Sequence, residues 1–211
     1  MINKANAIIN QNHNIMAGKF LWILDNGHGN STAGKRSPIL EDGRQLREYE
    51  FNRDIVKRLI EKLVSVNLNY HNLVPESSGD IPLSTRVSRA NELKTSLMKI
   101  YVSIHSNAQS NDWGTASGVE TFCYSKNSKS ERLAKCFQSN LITTLGWKDR
   151  GVKTEPFYVL KHTRMPAILT ENGFYSNLEE CKMLLDNNWR DKIAEAHFIA
   201  IKEIEKKGLN F

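Results

Sequence analysis

The stretch Leu21-Trp-Ile-Leu-Asp-Asn-Gly-His-Gly-Asn30 joins an apolar run to a histidine that is flanked by glycines. Its four apolar residues run directly into Asp25-Asn-Gly-His-Gly29, which predicts a buried strand over residues 20–25 that stops at a histidine between two glycines. Glycine allows a sharp turn and removes side-chain bulk from around the imidazole. Because open α/β sheets place their functional sites at the C-terminal ends of strands, we expect His28 to bind or react, and we look for its partners.

Two further apolar runs end at ionisable residues. Residues 98–104 predict a strand that leads into His105, and residues 167–171 predict a strand that ends in Glu171. If these strands are parallel neighbours of the first one, their carboxyl ends meet at one edge of the sheet. The repetition therefore predicts that His28, His105 and Glu171 lie together.

Helical periodicity separates the apolar runs along the chain. It is clearest over residues 47–66, and we expect further helices over about 84–93, 129–145 and 189–206 and a short strand over residues 157–160. This alternation predicts an α/β fold with a central, mostly parallel sheet that is flanked by helices on both faces. The 211 residues, of which 40% are hydrophobic and 25% charged, are enough for one core, so we expect a single domain.

The helix over residues 47–66 carries two acids near its start. Glu48 precedes Phe51 by three residues and Ile55 by seven, which places it on the buried face. Glu50 aligns with the charged, solvent-facing side of the same helix. Periodicity therefore indicates that Glu48 is the acid that points inward.

Charge and cysteine content exclude several classes of protein. The net charge is +6, but the basic residues are scattered with no long run, so we expect no nucleic-acid partner. A modest positive charge also suits an acidic polymer such as a bacterial cell wall. Cys123, Cys136 and Cys181 are odd in number and lack a CxxC pair, which argues against a disulfide framework or a structural zinc site.

No apolar run approaches the roughly 20 residues of a membrane span, so we expect no stable insertion into a membrane. Residues 1–18 are rich in asparagine and predict a polar N-terminal extension, which leaves residues 19–211 as the functional domain. The extension lacks the apolar core of a secretory signal. We therefore expect synthesis in the cytoplasm without a signal peptide.

Two histidines and one carboxylate form a common catalytic zinc set that leaves a coordination position for water. Zinc activates that water for hydrolysis of an amide or ester. A second carboxylate, for which Glu171 is suited, would take a proton from the water and return it to the leaving group. Taken singly, His28 has a simpler interpretation as part of a turn, His105 as a cap of backbone groups, and Glu48 as a helix N-terminal acid.

Four local sequences carry a family resemblance when read in order: Asp25-Asn-Gly-His-Gly29, Glu48-Tyr-Glu-Phe-Asn52, Ser103-Ile-His-Ser-Asn-Ala108 and Leu169-Thr-Glu-Asn-Gly-Phe-Tyr-Ser-Asn177. They resemble the zinc-dependent N-acetylmuramoyl-L-alanine amidases of the type-3 amidase family. Two intermediate blocks, Thr85–Asn91 and Gly118–Glu120, are similar to that family as well. The resemblance covers residues 20–206.

The resemblance implies one zinc ion per chain, with His28, Glu48 and His105 as ligands and Glu171 as the catalytic glutamate. It implies a largely parallel sheet of about six strands. The implied reaction is cleavage of the amide between N-acetylmuramic acid and L-alanine of the peptidoglycan stem peptide, with peptidoglycan as the partner. We separately expect the protein to be a monomer.

Four further polar residues have two interpretations each. Asn107 either hydrogen-bonds substrate or supports its loop, and Asn172, which stands where the family favours a small or aliphatic residue, is a tentative substrate contact. Arg86 and Arg89 lie three residues apart on one helical face, so they either bind a stem-peptide carboxylate or form structural ion pairs.

Two settings and two other classes of protein remain as alternatives. The setting is either a phage endolysin that reaches the wall after release at lysis, or a bacterial autolysin whose signal has been removed. A zinc peptidase or carboxypeptidase would instead release amino acids from the stem peptide. A non-catalytic wall-binding or virion module would keep the fold but would not need all four of His28, Glu48, His105 and Glu171.

Overall fold

The protein is described by a computed structural model over residues 18–76 and 78–209. Most of the expected N-terminal extension, residues 1–17, lies outside the described residues. In chain order, the strands are β1 (Phe20–Asn26), β2 (Tyr70–Asn72), β3 (Met98–Asn107), β4 (Val119–Cys123), β5 (Asp149–Thr154) and β6 (Ala167–Phe174). The helices are α1 (Glu48–Ser65), α2 (Leu83–Glu92), α3 (Lys129–Leu145), α4 (Tyr158–His162), α5 (Leu178–Leu185) and α6 (Asn187–Lys207).

The described strands form one six-stranded sheet in the order β2-β1-β3-β6-β4-β5. Neighbouring strands are parallel except β4 and β6, which are antiparallel. The predicted single-domain α/β architecture with a mostly parallel sheet is therefore confirmed. The order also confirms that β1, β3 and β6 are adjacent, so that the three runs that lead to ionisable residues meet at one edge.

Apolar side chains of the central strands enter two cores, one on each face of the sheet. Trp22 and Leu24 of β1 pack into the larger core with α1, α3 and α6, whereas Ile23 packs into the smaller core with α2 and α4. All three side chains are fully buried. A strand that is covered on both faces is apolar at consecutive positions, which explains the uninterrupted run before Asp25.

Two of the predicted strands extend further than expected. β3 continues to Asn107, so His105 lies within a strand rather than directly after one, and β6 continues to Phe174, so Glu171 lies inside its strand rather than at the end. These two residues are paired across the β3–β6 ladder. Backbone pairing between neighbours, which periodicity does not reveal, prolongs both strands past their apolar runs.

The predicted strand over residues 157–160 is wrong. That segment lies in and before α4, whose Val159 and Leu160 are buried in the smaller core. The strand lies instead at Asp149–Thr154, where β5 forms an edge of the sheet and pairs with β4. A half-exposed edge strand needs no apolar alternation, and packing overrides the strand propensity of Phe-Tyr-Val. α5, capped by the side chain of Asn177, was not predicted.

His197 on α6 is a packed core histidine. Its imidazole is fully buried, with Nδ1 2.8 Å from the carbonyl oxygen of Ile193 and Nε2 3.0 Å from Oγ1 of Thr170. Both contacts suit a neutral ring that donates from Nδ1 and accepts at Nε2. Burial lowers the pKa of His197 from 6.5 to about 4, although the contact with Ile193 opposes this shift.

We expect His197 to make stability depend on pH. Between pH 6.5 and about 4 the unfolded chain binds a proton that the folded chain does not, so the free energy of unfolding falls as the pH falls, by about 3 kcal/mol from this group. Denaturant unfolding of wild type and His197→Gln at neutral and acidic pH measures the difference. His162→Gln, which replaces an exposed histidine, is the control and should keep the wild-type slope; an unchanged slope in His197→Gln would contradict the assignment.

None of the described helices combines the length and the apolar character required to cross a membrane.

Candidate metal centre and active site

The structure brings three of the predicted residues together at the edge of the sheet. Nε2 of His28 lies 3.3 Å, and Nδ1 of His105 lies 2.9 Å, from the same oxygen, Oε1 of Glu48. The two imidazole rings are nearly perpendicular, with centroids 4.9 Å apart. One ligand atom from each residue lies within 4.8 Å of the others, which is the spacing of a group able to hold a metal ion.

The backbone at His28 is held in an unusual conformation. His28 has a φ of 65°, in the left-handed region that few non-glycine residues adopt. Its carbonyl oxygen accepts hydrogen bonds from Arg53 (3.0 Å) and Arg86 (3.1 Å), and the carbonyl of Gly27 accepts one from Asn52 (3.0 Å). These donors from α1 and α2 stabilise the turn that presents the imidazole.

Gly27 provides the space for the two histidines. A methyl group at this position would overlap the imidazole ring of His105. A methyl group at Gly29 would overlap the backbone of Asp80. Both positions therefore require glycine, because neighbouring groups leave no room for a side chain. This confirms the prediction that the glycines remove bulk from around the imidazole.

Glu48 reaches the site from the first residue of α1. The residue is 1% exposed, whereas Glu50 lies at the surface, so the choice made from periodicity is confirmed. Oε1 of Glu48 also accepts from the backbone N–H of Ser106 at 3.3 Å. Oε2 is buried without a hydrogen-bond partner among the described residues, and Nζ of Lys35 lies 3.9 Å away.

The electrostatics favour an ionised Glu48 beside a neutral His105. Burial opposes ionisation of Glu48, but the side-chain contacts with His105 and His28 outweigh it and lower the pKa of the carboxyl below 4.5. Burial lowers the pKa of His105 below 6.5 despite the attraction of Glu48. A carboxylate and a neutral imidazole are the protonation states that metal ligands require.

Glu171 lies on β6, directly opposite His105. Its Oε2 is buried without a hydrogen-bond partner among the described residues. Burial, followed by repulsion from Glu48 and Glu120, raises the pKa of Glu171 well above 4.5, while Lys35 acts in the opposite direction. A carboxyl group with a raised pKa next to a candidate metal centre is suited to exchange protons.

Several residues that support the site were missed as functional. Asp25, at the end of β1, accepts hydrogen bonds from Arg86, Tyr101 and Ser103. Burial would raise the pKa of Asp25, but the attraction of Arg86 and the other two donors lower it below 3.8. A charged residue within an apolar strand was the available signal. Asn52 was noted as the end of the Glu48–Asn52 sequence, four residues after Glu48 on the same helical face, but its bond to the turn was not predicted.

The two asparagines noted from the sequence occupy supporting positions. Asn107 is partly buried and donates to Glu120 at 2.7 Å. Asn172 is fully buried and donates to the backbone carbonyl of His105 at 2.9 Å. The side chain of Asn172 therefore braces the strand that carries His105, and its position gives no support to the expected substrate contact.

Arg86 and Arg89 both form ion pairs within the protein. Arg86 is 1% exposed and pairs with Asp25, and Nη2 of Arg89 lies 2.6 Å from Oε1 of Glu76. The structural interpretation of these two arginines is the one that the contacts support.

A cleft of about 490 Å3 opens over the site. His28, His105 and Glu171 line one part of it, and the exposed side chains of Leu83, Phe157 and Tyr158 line another. The candidate metal centre is thus open to a cleft that has one polar wall and one apolar wall.

The donor set fits zinc. Two imidazole nitrogens and one carboxylate oxygen converge, and the unpaired Oε2 of Glu48 is a buried polar atom for which a cation would compensate. Three protein ligands also leave coordination positions open, as catalytic zinc sites do.

The sequence matches the profile of the N-acetylmuramoyl-L-alanine amidase family over residues 23–203. The chain belongs to this amidase family. The match begins within β1 and ends within α6, so it spans every element that contributes to the candidate site.

Known amidases resemble this member of the family in sequence and structure. The chain is 33% identical over 199 residues to the N-acetylmuramoyl-L-alanine amidase LytC of Bacillus subtilis (strain 168), which covers 90% of this chain and 36% of LytC. It is 31% identical over 196 residues to the endolysin of Bacillus phage SPP1, covering 88% of this chain and 66% of the endolysin. The crystal structure of the N-acetylmuramoyl-L-alanine amidase of Clostridium difficile 630 superposes with a TM-score of 0.78 at 28% identity, covering 91% of this chain and 100% of that one. The chain therefore spans little more than a third of LytC.

Proposed function

We propose that this chain hydrolyses the amide bond between N-acetylmuramic acid and L-alanine of peptidoglycan, and that it does so with zinc. One observation carries the proposal: three ligand atoms converge beside the unpaired carboxyl of Glu171 in an open cleft. Membership of the amidase family supports the choice of bond.

His28, Glu48 and His105 would hold the zinc ion. Zn2+ bound there would lower the pKa of a coordinated water and polarise the carbonyl of the amide. The protein contributes the placement of the three donor atoms, because the turn at His28, the start of α1 and the strand β3 fix them independently. It also contributes the cleft of about 490 Å3 that opens over the site.

Glu171 would carry the proton through the reaction. As a carboxylate it removes a proton from the attacking water, and as the acid it returns that proton to the nitrogen of the departing alanine. No net proton is consumed at Glu171 over one turnover. Its position opposite His105 in the β3–β6 ladder holds it against the candidate metal centre.

The products of digestion test the proposal. Purified peptidoglycan treated with the zinc-loaded protein is expected to yield intact glycan strands and stem peptides that begin with a free alanine amino group, as read by mass spectrometry. Release of single amino acids from the stem would instead identify a peptidase. Binding to the wall without any released product would identify a non-catalytic module.

We further propose the setting in which this reaction takes place. Peptidoglycan is the partner, a bacterial wall is the place of action, and residues 19–211 act as a monomeric catalytic domain to which residues 1–18 are an extension. The names of the relatives, a phage endolysin and a Bacillus amidase, support action on a cell wall. The same digestion with residues 19–211 alone tests this division: loss of product release would contradict it.

A further inference from the structure

A chain of hydrogen bonds connects Asp25 to His105 through Ser103. Oγ of Ser103 lies 2.8 Å from Oδ2 of Asp25 and 3.1 Å from Nε2 of His105. Asp25 is 1% exposed and Ser103 is fully buried, so neither side chain exchanges its partners freely with water. The link has no assigned role in the proposed reaction.

The protons in this chain can be assigned from its chemistry. Asp25 forms an ion pair with Arg86 and accepts from Tyr101 at 2.7 Å, so it is an ionised carboxylate that accepts and does not donate. The single hydroxyl proton of Ser103 must therefore point to Asp25. The oxygen of Ser103 is left as an acceptor, and the group that donates to it is Nε2–H of His105.

The position of this proton determines the state of Nδ1 on the other side of the imidazole. A neutral ring that is protonated at Nε2 has a free lone pair at Nδ1. Nδ1 faces Oε1 of Glu48 at 2.9 Å, and Oε1 lies 3.3 Å from Nε2 of His28. A lone pair and a carboxylate oxygen at this separation repel each other unless a cation lies against both.

We propose that Asp25 and Ser103 are positioning residues that hold His105 as its Nε2-protonated tautomer and thereby present Nδ1 to the metal ion. The proposal rests on the metal site of the proposed function. Metal-binding histidines generally donate their other N–H to an acceptor, and loss of such an acceptor costs about 10–100-fold in metal affinity or activity. Here the acceptor is a serine that is itself fixed by a buried carboxylate.

Ser103→Ala tests the link, with zinc affinity read by competition with a chromogenic chelator at neutral pH. We expect zinc to bind about 10–100-fold more weakly in this variant, because the ring loses its acceptor. Ser103→Thr keeps a hydroxyl on the strand and should restore most of the affinity. Thr121→Val removes another buried hydroxyl, which donates to Gln138 at 2.8 Å, and should bind zinc as the wild type does. Wild-type affinity in a folded Ser103→Ala would overturn the proposal.

A measurement on the wild type keeps the test independent of whether the variants fold. The ¹⁵N chemical shifts of the His105 ring in zinc-loaded protein are expected to show a protonated Nε2 and an unprotonated, zinc-bound Nδ1. The opposite tautomer would overturn the proposal.

These readouts need no peptidoglycan. If Ser103→Ala loses zinc affinity while the wild type releases no wall peptide, the positioning role stands and the proposed function fails. If the wild type is active and Ser103→Ala binds zinc normally, the positioning role alone fails.

Discussion

Replacement of Glu171 by glutamine is expected to lower kcat for release of wall peptides by about 10²–10⁴-fold while zinc content stays at the wild-type level. Glutamine has nearly the same shape but cannot take a proton from water or return one to the alanine nitrogen. It also removes a buried carboxyl that lies close to Glu48, so we expect no loss of folding stability. Peptide release, elemental analysis and thermal unfolding on the same preparation separate these effects.

Glu171→Asp is the matched control for this prediction. It keeps the carboxyl group but withdraws it by one methylene, so its activity should fall between that of the wild type and Glu171→Gln. Full turnover in Glu171→Gln would remove Glu171 from the mechanism. Loss of zinc in that variant would instead make it a ligand.

Replacement of Glu48 by alanine is expected to abolish both zinc binding and peptide release. The change removes the carboxylate on which both imidazoles converge and leaves only the two imidazole rings as ligands. Loss of a residue that only supports a ligand already costs about 10–100-fold in metal affinity, so loss of the ligand should exceed that range. Elemental analysis after gel filtration should show zinc falling from one equivalent to near zero.

Glu50→Ala is the control for Glu48→Ala. Both residues lie in the first turn of α1, but Glu50 is at the surface and contacts Tyr49 at 2.8 Å. This variant should keep zinc and activity. Full zinc occupancy in Glu48→Ala would show that the metal, if bound, is held elsewhere.

The part of the site that periodicity encodes was predictable from the sequence. The runs before His28, His105 and Glu171 are apolar because their strands are buried on both faces, and adjacent parallel strands bring their ends to one edge. The helical period of α1 distinguished Glu48 from Glu50. A residue three or seven positions from a core residue lies on the same, buried face of the helix.

The link through Ser103 was not predictable in this way. Asp25 and Ser103 are directly paired in the β1–β3 ladder, yet they are 78 residues apart along the chain. Strand register decides which side chains meet, and hydrophobic pattern does not encode register between strands that are distant in sequence. The end of β3 was misplaced for a related reason, since ladder hydrogen bonds extend it through His105 to Asn107.

Cleavage of the muramoyl–alanine amide should require a metal ion held by His28, Glu48 and His105. This requirement can be measured by digesting purified peptidoglycan before and after metal removal. We predict that chelation abolishes release of peptides with a free N-terminal alanine, and that one equivalent of Zn2+ restores release by the wild type but not by Glu48→Ala. Undiminished release by protein that elemental analysis shows to be free of metal would contradict the account.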